Sequence, residues 1–239
     1  MAKLSLRHVS KRYPNGFWAV KDFNLEMEDG EFVILTGSPK CGKSTVLRMI
    51  AGAEDVTEGI LELDGKPIND VEPKDREIAM VFQYYSLYKN MTVYDNLSFG
   101  MKLKKCSTEQ IEAAVKEAAD MLGLEELLNR RLKILSEGQK KRVALGRANH
   151  PQTQTFLFDE PLNGLDEKVQ VQIRTEIEKL HERYGTTILY AAHDKDEAKK
   201  FDAENNRILL FSRMRLYFTY AGKSQNSARF VNKISIFRR

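Results

Sequence analysis

A chain of 239 residues, 42% hydrophobic and 30% charged, has room for one sizeable α/β domain or two small ones. Its longest apolar runs, such as FVIL and ILLF, fall far short of the roughly 20 residues of a membrane-spanning helix, and no secretion signal opens the chain. The formal charge of +4 is uneven: residues 213–239 hold seven Lys/Arg and no acid, leaving the first 212 residues at −3. Cys41 and Cys106 have no metal-ligand spacing, so a reduced cytosolic location is expected.

Short apolar runs alternate with helical patterns, the mark of strand–helix–strand units on a largely parallel sheet. LSLRHV (4–9) opens the series, FVILT (32–36) follows, and STVLRMIAG reads as a helix ending at Gly52. Strand patterns recur at ILEL (60–63) and IAMVF (78–82). From about 86 to 150 the chain reads as helical and interrupts the strands, which predicts an inserted helical subdomain. Within it, Ser107 and Gln110 stand at capping-box spacing, and Ile111, Val115, Ala118 and Leu122 share one face. After TFLF (155–158), a helix is predicted to carry Val169, Ile173, Ile177, Leu180 and Tyr184 on one stripe and to end at Gly185. TILYA (187–191) and RILLF (207–211) are the last strands expected. Several of these strands are uniformly apolar, as suits a sheet covered on both faces. The folded domain is expected to span 1–212, with 213–239 a basic tail that is either a solvated terminus or a contact for anionic surfaces.

The stretch GSPKCGKS, set between a strand and a helix, matches G-x-x-x-x-G-K-[ST] through Gly37, Gly42, Lys43 and Ser44. Such a loop wraps phosphates with consecutive backbone N–H groups, and the following helix adds partial positive charge. Lys43 is suited to reach the β- and γ-phosphates, and the Ser44 hydroxyl to ligate Mg²⁺. About 115 residues later, TFLFDEP ends an apolar strand in two carboxylates. Asp159 is placed to hold Mg²⁺ and Glu160 to polarise an attacking water as general base. Gln83, at the end of IAMVFQ, is a candidate sensor of Mg²⁺ or of the lytic water. His193, after TILYAA, is a candidate γ-phosphate contact, though a histidine in that place is also an ordinary surface residue.

In order along residues 3 to about 200, these motifs resemble the ATP-binding subunits of ABC transporters, most closely those of carbohydrate importers. The segments carrying the resemblance are AVKDFNLEMEDGEFVIL with the phosphate loop, IAMVFQYYSLYKNMTVYDNLSFGMKL, LSEGQKKRVALGRA, FLFDEPLNGLD and TTILYAAHDKDEA. The resemblance implies an α/β P-loop NTPase fold of the ABC ATPase type, with an N-terminal antiparallel β portion and the inserted helical subdomain. It further implies that ATP and Mg²⁺ bind. The nucleotide contacts would be Tyr13 stacked on adenine, the loop residues Gly37, Ser38, Pro39, Lys40, Cys41, Gly42, Lys43, Ser44 and Thr45, and Ser136, Gly138 and Gln139 from a partner's signature sequence. Ser44, Gln83 and Asp159 would form the metal set, and Glu160, His193, Lys43 and Gln83 the catalytic set.

Two departures from the family pattern stand out. Lys40 replaces a glycine in the phosphate loop, at a strain of roughly 1 kcal/mol if the position needs φ > 0. Glu137 replaces the first glycine of the signature, putting a carboxylate near a γ-phosphate. Leu132 stands where proline is usual, ANHPQTQT is unusual before the carboxylate motif FLFDEP, and KKFDAENNRILLF is long before its strand. No regulatory domain is expected after the tail.

The expected function is ATP hydrolysis that powers solute import, of a sugar for instance, through separate transmembrane permease subunits. The ATPase would work as a homodimer or paired subunit, peripheral on the cytoplasmic face of the membrane, with ATP sandwiched head to tail. The alternative is a nucleotide-binding dimerisation module that barely hydrolyses, because of Lys40 and Glu137. No specific nucleic acid is expected as partner, the basic tail being the only hint of one. Aromatics in QYYSLYKNMTVY suit either a docking cleft for a permease helix or packing between subdomains.

Overall fold

The computed structural model describes residues 3–83, 87–148, 153–201, 206–212 and 215–220. In chain order the elements are β1 (Leu4–Arg12), β2 (Trp18–Met27), β3 (Phe32–Thr36), α1 (Lys43–Ala51), β4 (Glu58–Leu63), β5 (Lys66–Pro67), β6 (Ile78–Val81) and α2 (Val93–Leu103). There follow α3 (Thr108–Leu122), α4 (Glu137–Ala148), β7 (Thr155–Asp159), α5 (Glu167–Tyr184), β8 (Thr187–Ala191), α6 (Lys195–Lys199), β9 (Arg207–Ser212) and β10 (Arg215–Tyr220).

Two sheets result. One is antiparallel in the order β2-β1-β4-β5; the other has the order β10-β9-β3-β8-β7-β6 and is parallel except for β10. Because side chains alternate across a strand, the large sheet feeds two cores. Phe32, Ile34, Phe156, Phe158, Ile188 and Tyr190 pack with helical residues such as Leu97, Val115, Leu145 and Ile173. Val33, Leu35, Leu157, Leu189 and Ala191 face the other way, onto α1 and the antiparallel sheet. Each fully buried Leu, Ile or Phe contributes about 1.5–3 kcal/mol of transfer free energy. The expected α/β fold with an N-terminal antiparallel β portion is therefore present, with α2, α3 and α4 in the stretch expected to form the helical subdomain.

β2 was not among the expected strands, and the reason is local. His8 (φ 54°) and Asp22 (φ 52°) both lie in the left-handed region, and the ladder shifts register there. The inward positions therefore run Leu4, Leu6, then Val9 on β1 and Met27, Leu25, Phe23, then Val20 on β2. A bulge of this kind breaks the period of two that marks a strand in sequence. Side chains replace the lost ladder bonds: Asn24 Oδ1 accepts from His8 N at 2.8 Å, and Asp22 Oδ1 lies 2.7 Å from His8 Nδ1.

The two long helices behave as their patterns predict, with one exception. Ser107 and Gln110 form the reciprocal capping box of α3, whose face Ile111, Val115, Ala118 and Leu122 is buried. Asp166 caps α5, Gly185 ends it with φ 59°, and Ile173, Ile177 and Leu180 are buried. Tyr184 is the exception: it is exposed, and its hydroxyl donates to Glu117 of α3 at 2.7 Å. At the boundary expected near 212, β10 continues the sheet antiparallel to β9, within the segment read as tail. Residues 221–239 lie outside the described residues, as do Tyr84, Tyr85 and Ser86 of the aromatic stretch.

Candidate functional site

β3 ends at Thr36 and α1 begins at Lys43, so Gly37 to Gly42 form the turn between a buried strand and a helix N-terminus. Gly42 takes φ 110°, and a Cβ there would meet the Ala19 carbonyl at 2.6 Å; Gly37 packs against the Phe211 carbonyl with no room for a Cβ. Ser38, Pro39 and Lys40 form an exposed crest, Cys41 is buried, and Thr45 is half-buried in the first turn of α1. Lys40 has φ 63°, the left-handed conformation in which an L side chain costs about 1–2 kcal/mol.

Four of the expected residues meet here. The Lys43 ammonium, with its side chain only 3% exposed, donates to Gly37 O at 3.1 Å and lies 3.4 Å from Glu160 Oε1. A buried cation needs such partners. Ser44 Oγ donates to Asp159 Oδ1 at 2.6 Å across 115 residues of sequence. Burial pushes the Asp159 carboxyl above its ordinary range, opposed by the Ser44 hydroxyl and by the charges of Arg48 and Lys43. The hydroxyl and carboxylate, two oxygen donors at the end of a buried strand, suit a hard cation such as Mg²⁺.

Glu160 follows β7 with φ 47°, a strained conformation of the kind found at functional sites. Its N–H donates to Ala191 O at 3.0 Å, and Asn163 Nδ2 donates to its Oε2 at 3.2 Å. Asn163 carries no signal of a site in the sequence, since Asn-Gly reads only as a turn. His193 follows β8; its ring is 47% exposed, and its N–H donates to Glu197 Oε2 at 2.9 Å.

No described hydrogen bond or ion pair joins the remaining candidates to this cluster. Gln83 is half-buried beyond β6, and its carbonyl accepts from Lys141 Nζ of α4 at 2.9 Å. Tyr13, half-buried after β1, directs its hydroxyl to Glu54 Oε1 at 3.4 Å under the Lys11 ammonium. Ser136 and Gln139 cap α4 reciprocally: Ser136 Oγ accepts from Gln139 N at 3.2 Å, and Gln139 Oε1 from Ser136 N at 2.8 Å. Gly138 is buried, and a Cβ there would lie 2.7 Å from Val169 Cγ1 of α5. Glu137 is 66% exposed and paired with Lys140 at 2.7 Å.

Fold and site together define a P-loop nucleotide-binding α/β protein. A family described as ABC transporter matches residues 20–163. The chain belongs to the ABC transporter family. It is 52% identical over 199 residues to the multiple sugar-binding transport ATP-binding protein MsmK of Streptococcus mutans serotype c, covering 83% of this chain and 53% of that protein. It is 54% identical over 198 residues to the oligosaccharides import ATP-binding protein MsmX of Bacillus subtilis, covering 83% and 54%. The chain thus spans about half the length of the curated relatives it matches. Among solved structures, the dimeric post-hydrolysis state of the ATP-binding cassette MJ0796 bound to ADP and Pi matches with a TM-score of 0.79 at 30% identity, over 90% of this chain and 98% of that one.

Proposed function

We propose that this chain binds and hydrolyses ATP as the cytoplasmic energy-supplying subunit of a solute importer. The single observation that carries the reading is the Lys43–Ser44–Asp159–Glu160 cluster, in which a phosphate loop meets two carboxylates at the end of a buried strand. The names of the sugar and oligosaccharide import relatives support a carbohydrate as cargo. The dimeric cassette structure supports a paired assembly, and the transport and import names of the relatives support a transmembrane permease as its partner.

In this reading the N–H groups that the loop offers between Gly37 and Thr45, where Pro39 has none to give, and the Lys43 ammonium hold the triphosphate, while Tyr13 takes the adenine. Ser44, Asp159 and Gln83 would hold Mg²⁺, which when bound neutralises phosphate charge. Glu160 takes the proton of the attacking water as its oxygen bonds the γ-phosphorus and the bond to ADP breaks; His193 holds the γ-phosphate. In a head-to-tail pair, Ser136, Gly138 and Gln139 of the second copy close the site from the other side. Gly138 and the Ser136–Gln139 cap also have roles within the fold, so their structural and nucleotide roles coincide.

The binding-only alternative draws no support from the geometry. Lys40 adopts the left-handed conformation that the turn requires, and Glu137 is drawn to Lys140 and solvent. The test is a phosphate-release assay with ATP and Mg²⁺ beside titration with a fluorescent ATP analogue. Glu160→Gln should bind the analogue as tightly as the unsubstituted chain yet release phosphate at least about 100-fold more slowly. Tight binding with negligible release from the unsubstituted chain would select the binding-only reading.

A further inference from the structure

Tyr190, Glu197 and His193 form a connected unit beside the cluster. Tyr190 on β8 is fully buried, with its ring against Phe158 and Phe201 at centroid distances of 6.0 and 4.7 Å. Its hydroxyl donates to Glu197 Oε1, and the other oxygen, Oε2, accepts from the His193 backbone N–H at 2.9 Å. Asp194 caps the short α6, accepting from Asp196 N at 2.9 Å and Glu197 N at 2.8 Å, and so fixes where Glu197 starts from. Both carboxylate oxygens of Glu197 are thereby committed, one to a rigid buried phenol and one to the main chain of His193.

The His193 ring has no comparable support. It is 47% exposed, and its described polar contact, Nδ1 to Asp194 Oδ2, is 3.5 Å long. That is too long for a firm hydrogen bond. The ring's position must therefore come from its backbone, and the hydrogen bond from His193 N to Glu197 ties that backbone to the core.

We propose that Glu197, backed by Tyr190, is a positioning residue that holds the backbone of His193 so that its imidazole meets the γ-phosphate. The assignment rests on the role given to His193 above. In this assignment Glu197 acts through His193, since its two carboxylate oxygens are taken by the Tyr190 hydroxyl and the His193 N–H. Its effect is to remove the freedom of a loop whose side chain must be held within a fraction of an ångström.

The experiment compares Glu197→Ala, His193→Ala, the double variant and Tyr190→Phe in the full chain, each checked for folding by circular dichroism. Glu197→Ala should lower kcat for MgATP roughly tenfold with little change in KM. The same substitution should cost nothing further in the His193→Ala background. Backbone amide exchange at His193, read by NMR, should quicken in Glu197→Ala while the β8 amides stay protected. Tyr190→Phe, which keeps the packed ring, should shift both readouts the same way by less. Equal losses in both backgrounds, or an unchanged His193 amide, would overturn the proposal. If the unsubstituted chain releases no phosphate, the hydrolysis reading fails, and the amide readout alone decides the clamp.

Discussion

The ammonium of Lys43 lies 3.4 Å from the carboxylate of Glu160, joining the residue expected to grip phosphate to the residue expected to activate water. A triphosphate entering the loop competes with Glu160 and the Gly37 carbonyl for that one cation. Lys43→Ala should therefore weaken ATP binding by roughly 10- to 100-fold, the equivalent of one charge-assisted hydrogen bond of about 1.5–3 kcal/mol. Titration with a fluorescent ATP analogue measures it, and unchanged affinity would remove Lys43 from the site.

At Lys40 the backbone itself is the variable, because φ is 63°. Lys40→Ala and Lys40→Gly both delete the side chain, so their difference reports the strain of a Cβ in the left-handed region less the entropy that glycine adds to the unfolded chain. The glycine variant should be the more stable by about 1 kcal/mol, a rise of about 2–4 °C in Tm relative to alanine. An alanine variant as stable as the glycine variant, or more so, would show that the strain does not exceed the entropy glycine adds to the unfolded chain.

Gly138 allows α4 to lie close on α5. Gly138→Ala would drive a Cβ to 2.7 Å from Val169 Cγ1 and should destabilise the fold by about 1–3 kcal/mol in urea unfolding. Val169→Ala in the same chain should restore most of that loss, since the clash is with one branched side chain. Absence of rescue would place the cost elsewhere.

Glu176 gives a pH dependence with a definite sign. Burial raises its carboxyl from the ordinary 4.5 to about 7, against the opposing charges of Arg142 and Lys179, and its Oε2 has no hydrogen-bond partner among the described residues. Between those two values the folded chain binds more protons than the unfolded chain, so this group's contribution to stability falls as pH rises. Glu176→Gln removes that loss. Its Tm should exceed that of the unsubstituted chain above pH 7, and the gap should close below about pH 4.5. A gap that does not change with pH would contradict the assignment.

Much of the candidate site is legible in the sequence because local rules fix its backbone. The loop spacing from Gly37 to Ser44, the apolar run before Asp159 and Glu160, and the caps at Ser107 and Gly185 each follow from short-range backbone chemistry. β2 stayed hidden because paired left-handed residues at His8 and Asp22 break its alternation, and β10 because its charged neighbours read as a tail.

The sequence by itself therefore determined most of the strands, though not β2 or β10, together with the caps and the chemical kinds of group, since these depend on neighbours in the chain. Tertiary structure alone decided which groups meet. Ser44 finds Asp159 across 115 residues because β3 and β7 each pair with β8 in one parallel sheet and end at the same edge. Glu197 reaches the His193 backbone because Tyr190 is locked in a core of aromatic rings. Gly138, read as a nucleotide contact, also proves to be where two helices touch. Distances between residues far apart in the chain are set by packing, and no spacing within a motif contains them.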